Sequence, residues 1–139
     1  MSYKIIGKYI KNLDFKIPSA KSFFLLAKDI SNYKINIDIK SNQIKEKIIE
    51  VETTLNLTTA EIIDEKINTN ITYSTIIEIT NEAINKSDIE KIVLVNVPTE
   101  IYPELRKIFI FMFENSGFKD IKISEKVNFQ ELYNQKKIQ

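Results

Sequence analysis

The sequence predicts an α+β fold: a four-stranded antiparallel sheet with helices packed on one face. Three observations carry that prediction. Four segments in the first two-thirds of the 139 residues alternate apolar and polar side chains. Beyond Ser87 the apolar spacing becomes helical. Proline, asparagine and glycine stand where helices should start and stop.

The first strand is "LDFKIP", with Leu13, Phe15 and Ile17 on one side. The second, "YKINIDI", aligns Tyr33, Ile35, Ile37 and Ile39. The third puts Ile49, Val51, Leu55 and Leu57 together, and the fourth Ile67, Ile71, Tyr73, Ile77 and Ile79. The intervening positions are Thr, Asn, Lys, Glu and Ser, so one face of the sheet is wet. The last two strands are joined through "TTAEIIDE", read as a hairpin; its carboxylates Asp64 and Glu65 are the solvated kind. Between the first two strands, residues 18–32 exceed what a hairpin needs and carry Phe23, Phe24, Leu25 and Leu26 in a row. That connection is either a short helical turn buried against the core or a loop lining an apolar groove.

A short helix is expected from "SDIEKIVLVNVP", capped by Ser87 with Glu90 reaching back, although "IVLVNV" also fits a strand. The next helix is expected over residues 102–116, with Pro103 in its first turn and Gly117 at its left-handed end. It would be roughly 22 Å long. "FKDIKIS" then reads as extended, and Asn128 with Glu131 opens a last helix bearing Phe129, Leu132 and Tyr133.

The 102–116 helix is apolar nearly all round. Ile101, Leu105, Ile108, Phe109 and Met112 can face the sheet, whereas Ile110, Phe111 and Phe113 fall partly elsewhere. A helix apolar all round is buried all round. A single sheet has one dry face, so a second copy of the chain is expected against Ile108, Ile110, Phe111 and Phe113.

Composition narrows the function. Histidine and cysteine are absent and the only glycines are Gly7 and Gly117, which weighs against acid–base, thiol, metal and phosphate-loop chemistry. No enzyme activity, cofactor or metal is expected. Net charge is +1 and Arg106 is the only arginine, so no basic nucleic-acid stripe is present. The apolar runs fall short of a membrane span and the N-terminus has no signal-peptide pattern, so a cytoplasmic protein is expected, with one domain over residues 1–139.

In order and spacing these segments resemble the protein-export chaperone SecB family. The opening stretch is similar to its first strand through Tyr9, Leu13, Phe15 and Pro18. "VPTEIYPELRKIF" resembles the segment before its main helix, with Pro98, Ile101-Tyr102-Pro103 and Arg106. "SGFKDIKISEKVNFQELY" resembles the stretch between its helices, with Gly117-Phe118, Ile121, Ile123, Val127-Asn128-Phe129 and Leu132. The resemblance implies a homotetramer, a dimer of dimers with helices sandwiched between sheets. It also implies an ATP-independent holdase that binds unfolded precursors and passes them to the SecA motor. Phe23, Phe24, Leu25, Leu26, Tyr33, Phe118, Ile121 and Ile123 are expected to line the client groove. The family's acidic SecA-docking positions fall at Asn12 and Lys16 here, leaving Asp14, Glu50 and Glu52 as the docking face and predicting weak or absent SecA binding. The alternatives are a SecB-like chaperone of a toxin–antitoxin system and a structural or adaptor oligomer.

Overall fold

The computed structural model describes residues 2–29, 34–58, 67–118, 121 and 123–138. Tyr33 and the connection holding Asp64 and Glu65 lie outside the described residues. Strands β1 (Tyr3–Lys16), β2 (Lys34–Lys45), β3 (Ile48–Thr58) and β4 (Asn68–Ile79) form one antiparallel sheet in the order β1-β4-β3-β2. The hairpin between β2 and β3 turns through Lys47, whose φ of 68° is left-handed.

Because β1 and β2 are opposite edges, the chain must cross the whole sheet between them. Three inter-strand spacings amount to about 14 Å. The connection contains a ten-residue helix, α1 (Ala20–Asp29), whose length of about 15 Å matches that span. The Ser19 hydroxyl accepts from the Ser22 amide at 3.1 Å and so caps it. Leu26 is fully buried in the core that lies under the helices. The described part of that connection therefore holds a helix, and part of it packs against the chain's own core.

Alternation determines which face the helices cover. Ile49, Val51, Leu55, Ile71, Tyr73, Ile77 and Ile79 are buried beneath them. Two bulges interrupt β1, between Ile5 and Gly7 and between Ile10 and Asn12. The extra residue in the second, Lys11, puts Tyr9 and Leu13 on opposite faces, although strict alternation would align them.

Chain from Lys86 to Glu114 is continuously helical: α2 (Lys86–Lys91), a π turn (Ile92–Asn96) and α3 (Val97–Glu114). The cap of α2 is Asn85 rather than the expected Ser87: its side chain accepts from the Asp88 amide at 2.8 Å. "IVLVNV", which by pattern also fits a strand, is helical throughout. Pro98 accounts for the π turn, because it has no N–H to donate back to Leu94 and its ring crowds that carbonyl. The Thr99 hydroxyl donates to Val95 O at 2.6 Å. Consequently α3 begins at Val97 and Pro103 sits inside it.

The buried face of α3 is a strict four-residue series, Val97, Ile101, Leu105, Phe109 and Phe113, with Tyr102 beside it. Burying each large apolar side chain contributes about 1.5–3 kcal/mol. Phe113 was expected at an interface between copies; it is fully buried within its own chain, edge-on to Phe15 at 4.9 Å between ring centroids. Ile108, Ile110 and Met112 are half-buried and Phe111 is 60% exposed. Gly117, with φ 97°, ends the turn after α3. A strap then leads to α4 (Phe129–Ile138), where Asn128 Oδ1 accepts from the Glu131 amide at 3.0 Å.

Candidate functional site

The residues expected to line a groove come together, but mostly as core. Phe23 of α1 lies against Phe118 with ring centroids 4.8 Å apart, and Phe118 against Phe113 at 6.0 Å. A Cβ on Gly117 would stand 3.0 Å from the Phe23 ring, so the glycine admits that ring as well as the left-handed backbone. Leu26, Phe118 and Ile123 are buried and have no surface to give a ligand. Leu25 and Ile121 are not fully buried, and Phe24, 69% exposed, is the member of the row that faces solvent most openly.

An open cleft lies elsewhere, where the sheet edge β2 meets α4. It has a volume of about 210 Å³ and is lined by Ile37, Asp38, Ile39, Leu94, Phe129, Leu132 and Tyr133. Ile37 and Ile39 come from the helix-side face of β2, two residues apart as a strand requires. The π turn supplies Leu94. Leu132, exposed, and Phe129 and Tyr133, buried, come from α4. Apolar walls bind non-directionally, and β2 is an edge strand with backbone groups that β3 does not use. The cleft can hold an apolar stretch of extended chain. The period-two and helical patterns flagged most of these residues as apolar. Their meeting was hidden because it depends on strand order and on the π turn. Among the described residues no group of Asp or Glu is arranged to hold a metal ion, and no helix is long and apolar enough to cross a membrane.

Comparison with known proteins places this architecture. The family model described as preprotein translocase subunit SecB matches residues 1–139. The chain belongs to the SecB family. Over 135 residues it is 39% identical to a protein of Pelagibacter ubique whose name assigns it to SecB-type protein export, covering 97% of this chain and 96% of that one. It is 28% identical to the protein-export protein SecB of Cupriavidus pinatubonensis over 96% of this chain and 76% of that one. Its fold matches the SecB-like chaperone of Mycobacterium tuberculosis, solved with a peptide from an antitoxin, at a TM-score of 0.59 and 5% identity over 88% of this chain and 90% of that one. The four-stranded antiparallel sheet with helices is thus a SecB-like fold, and SecB membership makes the chain a chaperone for protein export.

On the face of this SecB sheet away from the helices, the expected docking carboxylates are apart. Asp14 is opposite Asn70 in the register, Glu50 opposite Ile76 and Glu52 opposite Ser74. Counted along β4, that puts Asp14 about 20 Å from Glu50 and about 13 Å from Glu52. Glu50 is buried and satisfied: it accepts from Tyr9 Oη at 2.5 Å, Ser74 Oγ at 2.6 Å and Lys11 Nζ at 3.2 Å. The Ser74 and Tyr9 hydroxyls, more than Lys11, hold its carboxyl down at about 2 against the opposing effect of burial. Lys11 also pairs with Glu52 at 3.0 Å. Asp14 is exposed and accepts from Asn12 Nδ2 at 3.2 Å.

Proposed function

We propose that this SecB-family chain is an ATP-independent holdase that keeps precursor proteins unfolded for Sec-dependent export. The observation that carries the reading is the open apolar cleft between β2 and α4. It offers Ile37, Ile39, Leu94 and Leu132 to any apolar segment and asks for no particular sequence. Phe24 extends the apolar surface that an unfolded chain meets. The protein works in the cytoplasm, without a cofactor and without enzymatic chemistry.

The working form is a homotetramer, a dimer of dimers. Support comes from apolar side chains left in solvent by one protomer: Ile6, Tyr9, Ile10 and Leu13 on the edge strand β1, and Phe111 on α3. Handover to SecA through the outer face is weak, because the carboxylates there are dispersed and two of the three are bound by Lys11. Export is favoured over a toxin–antitoxin role by the 39% identity to an export-type relative.

Suppression of aggregation tests the reading. A thermally unfolding, unrelated enzyme should stay in solution when the assembled chain is present without nucleotide. An assembled chain that leaves its light scattering unchanged would instead be an adaptor whose apolar surfaces serve assembly alone.

A further inference from the structure

Among its described residues, the strap between α3 and α4 joins no strand of the sheet and no helix. Its backbone carbonyls therefore need partners from elsewhere. Val127 O accepts from the Phe129 amide, and two side chains of α3, one helical turn apart, serve Ile123 and Ser124. Tyr102 Oη donates to Ser124 O at 2.8 Å. Arg106 donates to Ile123 O twice, from Nε at 3.2 Å and Nη2 at 3.0 Å. Charge-assisted, two-pronged donation from a planar guanidinium fixes direction as well as distance.

Tyr102 acts in a second place. Its ring is buried and meets Phe129 edge-on, with centroids 6.0 Å apart. Phe129 is the first residue of α4 and lines the cleft. The strap leaves the clamp at Ser124, and only a short stretch separates it from α4. On the opposite wall, Ile37 and Ile39 are held by the sheet register. The wall made by Phe129, Leu132 and Tyr133 has no such ladder. Its place depends on the packing of α4 against the π turn and on where the strap delivers it.

We propose that Tyr102 and Arg106 are positioning residues that clamp the strap at Ile123 and Ser124 and thereby hold α4 at the distance from β2 at which the cleft accepts an unfolded chain. The inference rests on the holdase reading and adds to it the element that sets the site's width. It also explains the stretch "IYPELR" physically. Tyr102 and Arg106 are four apart, so both reach the same strap from one helix face.

The experiment pairs a binding measurement with amide hydrogen exchange. The probe is fluorescein-labelled α-lactalbumin, reduced and carboxymethylated so that it stays unfolded, followed by anisotropy. Tyr102→Phe keeps the ring and removes only the hydroxyl, so folding is retained. Arg106→Gln removes the fork, and Arg106→Lys leaves one charged donor. Tyr102→Phe and Arg106→Gln should each raise Kd about threefold to tenfold. Amides of α4 should exchange faster by a similar factor while those of α3 and β3 do not change. Arg106→Lys should fall between wild type and Arg106→Gln. Unchanged Kd in the two variants overturns the clamp, and so does faster exchange spread evenly over the chain, which marks plain loss of stability. A wild-type protein that does not bind the probe at all overturns the holdase reading and the clamp with it.

Discussion

Lys11 spans two carboxylates of β3, with Nζ 3.2 Å from Glu50 Oε1 and 3.0 Å from Glu52 Oε1. It can do so because the bulge turns it out of the β1 ladder onto the outer face. Glu50 beneath it is the buried anion of the sheet, and its lowered pKa makes stability depend on pH. The carboxyl titrates at about 2 when folded and near its ordinary value of 4.5 when unfolded. The stabilisation is complete above the unfolded value and disappears as pH falls through the folded one. It has an upper bound of about 3–4 kcal/mol. Glu104, lowered by the Lys8 ammonium and the Tyr73 hydroxyl, acts in the same direction. Urea midpoints should therefore decline between pH 5 and pH 2, and Glu50→Gln should flatten that decline while lowering stability at pH 7. Equal slopes for the two proteins would show that Glu50 does not control it.

The same dispersal of charge governs the handover to a motor. Asp14 stands about 20 Å along the strands from Glu50, beyond the ~8 Å Debye length of physiological salt. Exposed pairs are worth about 0–1 kcal/mol each. Titration against SecA from the same host should give weak binding, and Asp14→Lys should change it less than threefold. Submicromolar, salt-sensitive affinity that is lost in Asp14→Lys would mean the outer face docks SecA after all.

Strands β2, β3 and β4 were legible because one face is dry and the other wet, which writes period two into residues such as Ile35, Ile37 and Ile39. Of β1 only the end from Leu13 was legible, because two bulges and exposure of every residue from Lys8 to Asp14 erase period two before it. Gly117 and Asn128 were legible because a left-handed turn and a helix cap each demand particular side chains. Phe113 was misassigned because "IFIFMF" is apolar at every position, and composition alone cannot tell the 105–109–113 row from the 108–112 row. Tyr9 and Lys11 depend on a bulge that no local pattern announces. Glu50 has the pattern of a solvated charge on the wet face; its burial follows from Tyr9 and Ser74, which lie on two other strands. The cleft needs Leu94, and Leu94 lines it through a π turn that one proline produces.

Exposure separates the two phenylalanines near the end of α3. Phe111 is 60% exposed and Phe113 fully buried, so a charge at each should fail differently. Phe111→Asp should keep the circular dichroism of the protomer and convert the proposed tetramer to smaller species by light scattering. Phe113→Asp places an unpaired charge among Phe15, Phe109 and Phe118 at a cost of several kcal/mol, and should unfold the chain. A tetramer that survives Phe111→Asp would take α3 out of the assembly interface.

Client binding divides in the same way between surface and core. Leu132 faces the cleft and Phe24 faces solvent, whereas Leu26 is fully buried beside the sheet. Replacing Leu26 with Ser creates a cavity and buries a hydroxyl, which costs about 2–5 kcal/mol of stability. Its effect on binding would then report unfolding. Leu132→Ser and Phe24→Ser remove apolar surface that water already reaches, so the fold should hold. Each should weaken binding of an unfolded polypeptide, by up to about tenfold for Leu132, because covering the exposed half of a leucine side chain contributes at most about 1.5 kcal/mol. The two surfaces also differ in kind. The cleft is concave and gathers side chains from β2, the π turn and α4, so Leu132 should matter more than Phe24, whose ring meets only Phe23 edge-on, at 5.7 Å, among the described aromatic side chains. Calorimetry should give a negative heat-capacity change for wild type and a smaller one for Leu132→Ser, since that quantity follows the apolar area removed from water. If Leu132→Ser binds as wild type does while Phe24→Ser loses affinity, the client lies along α1, and the cleft is not its seat.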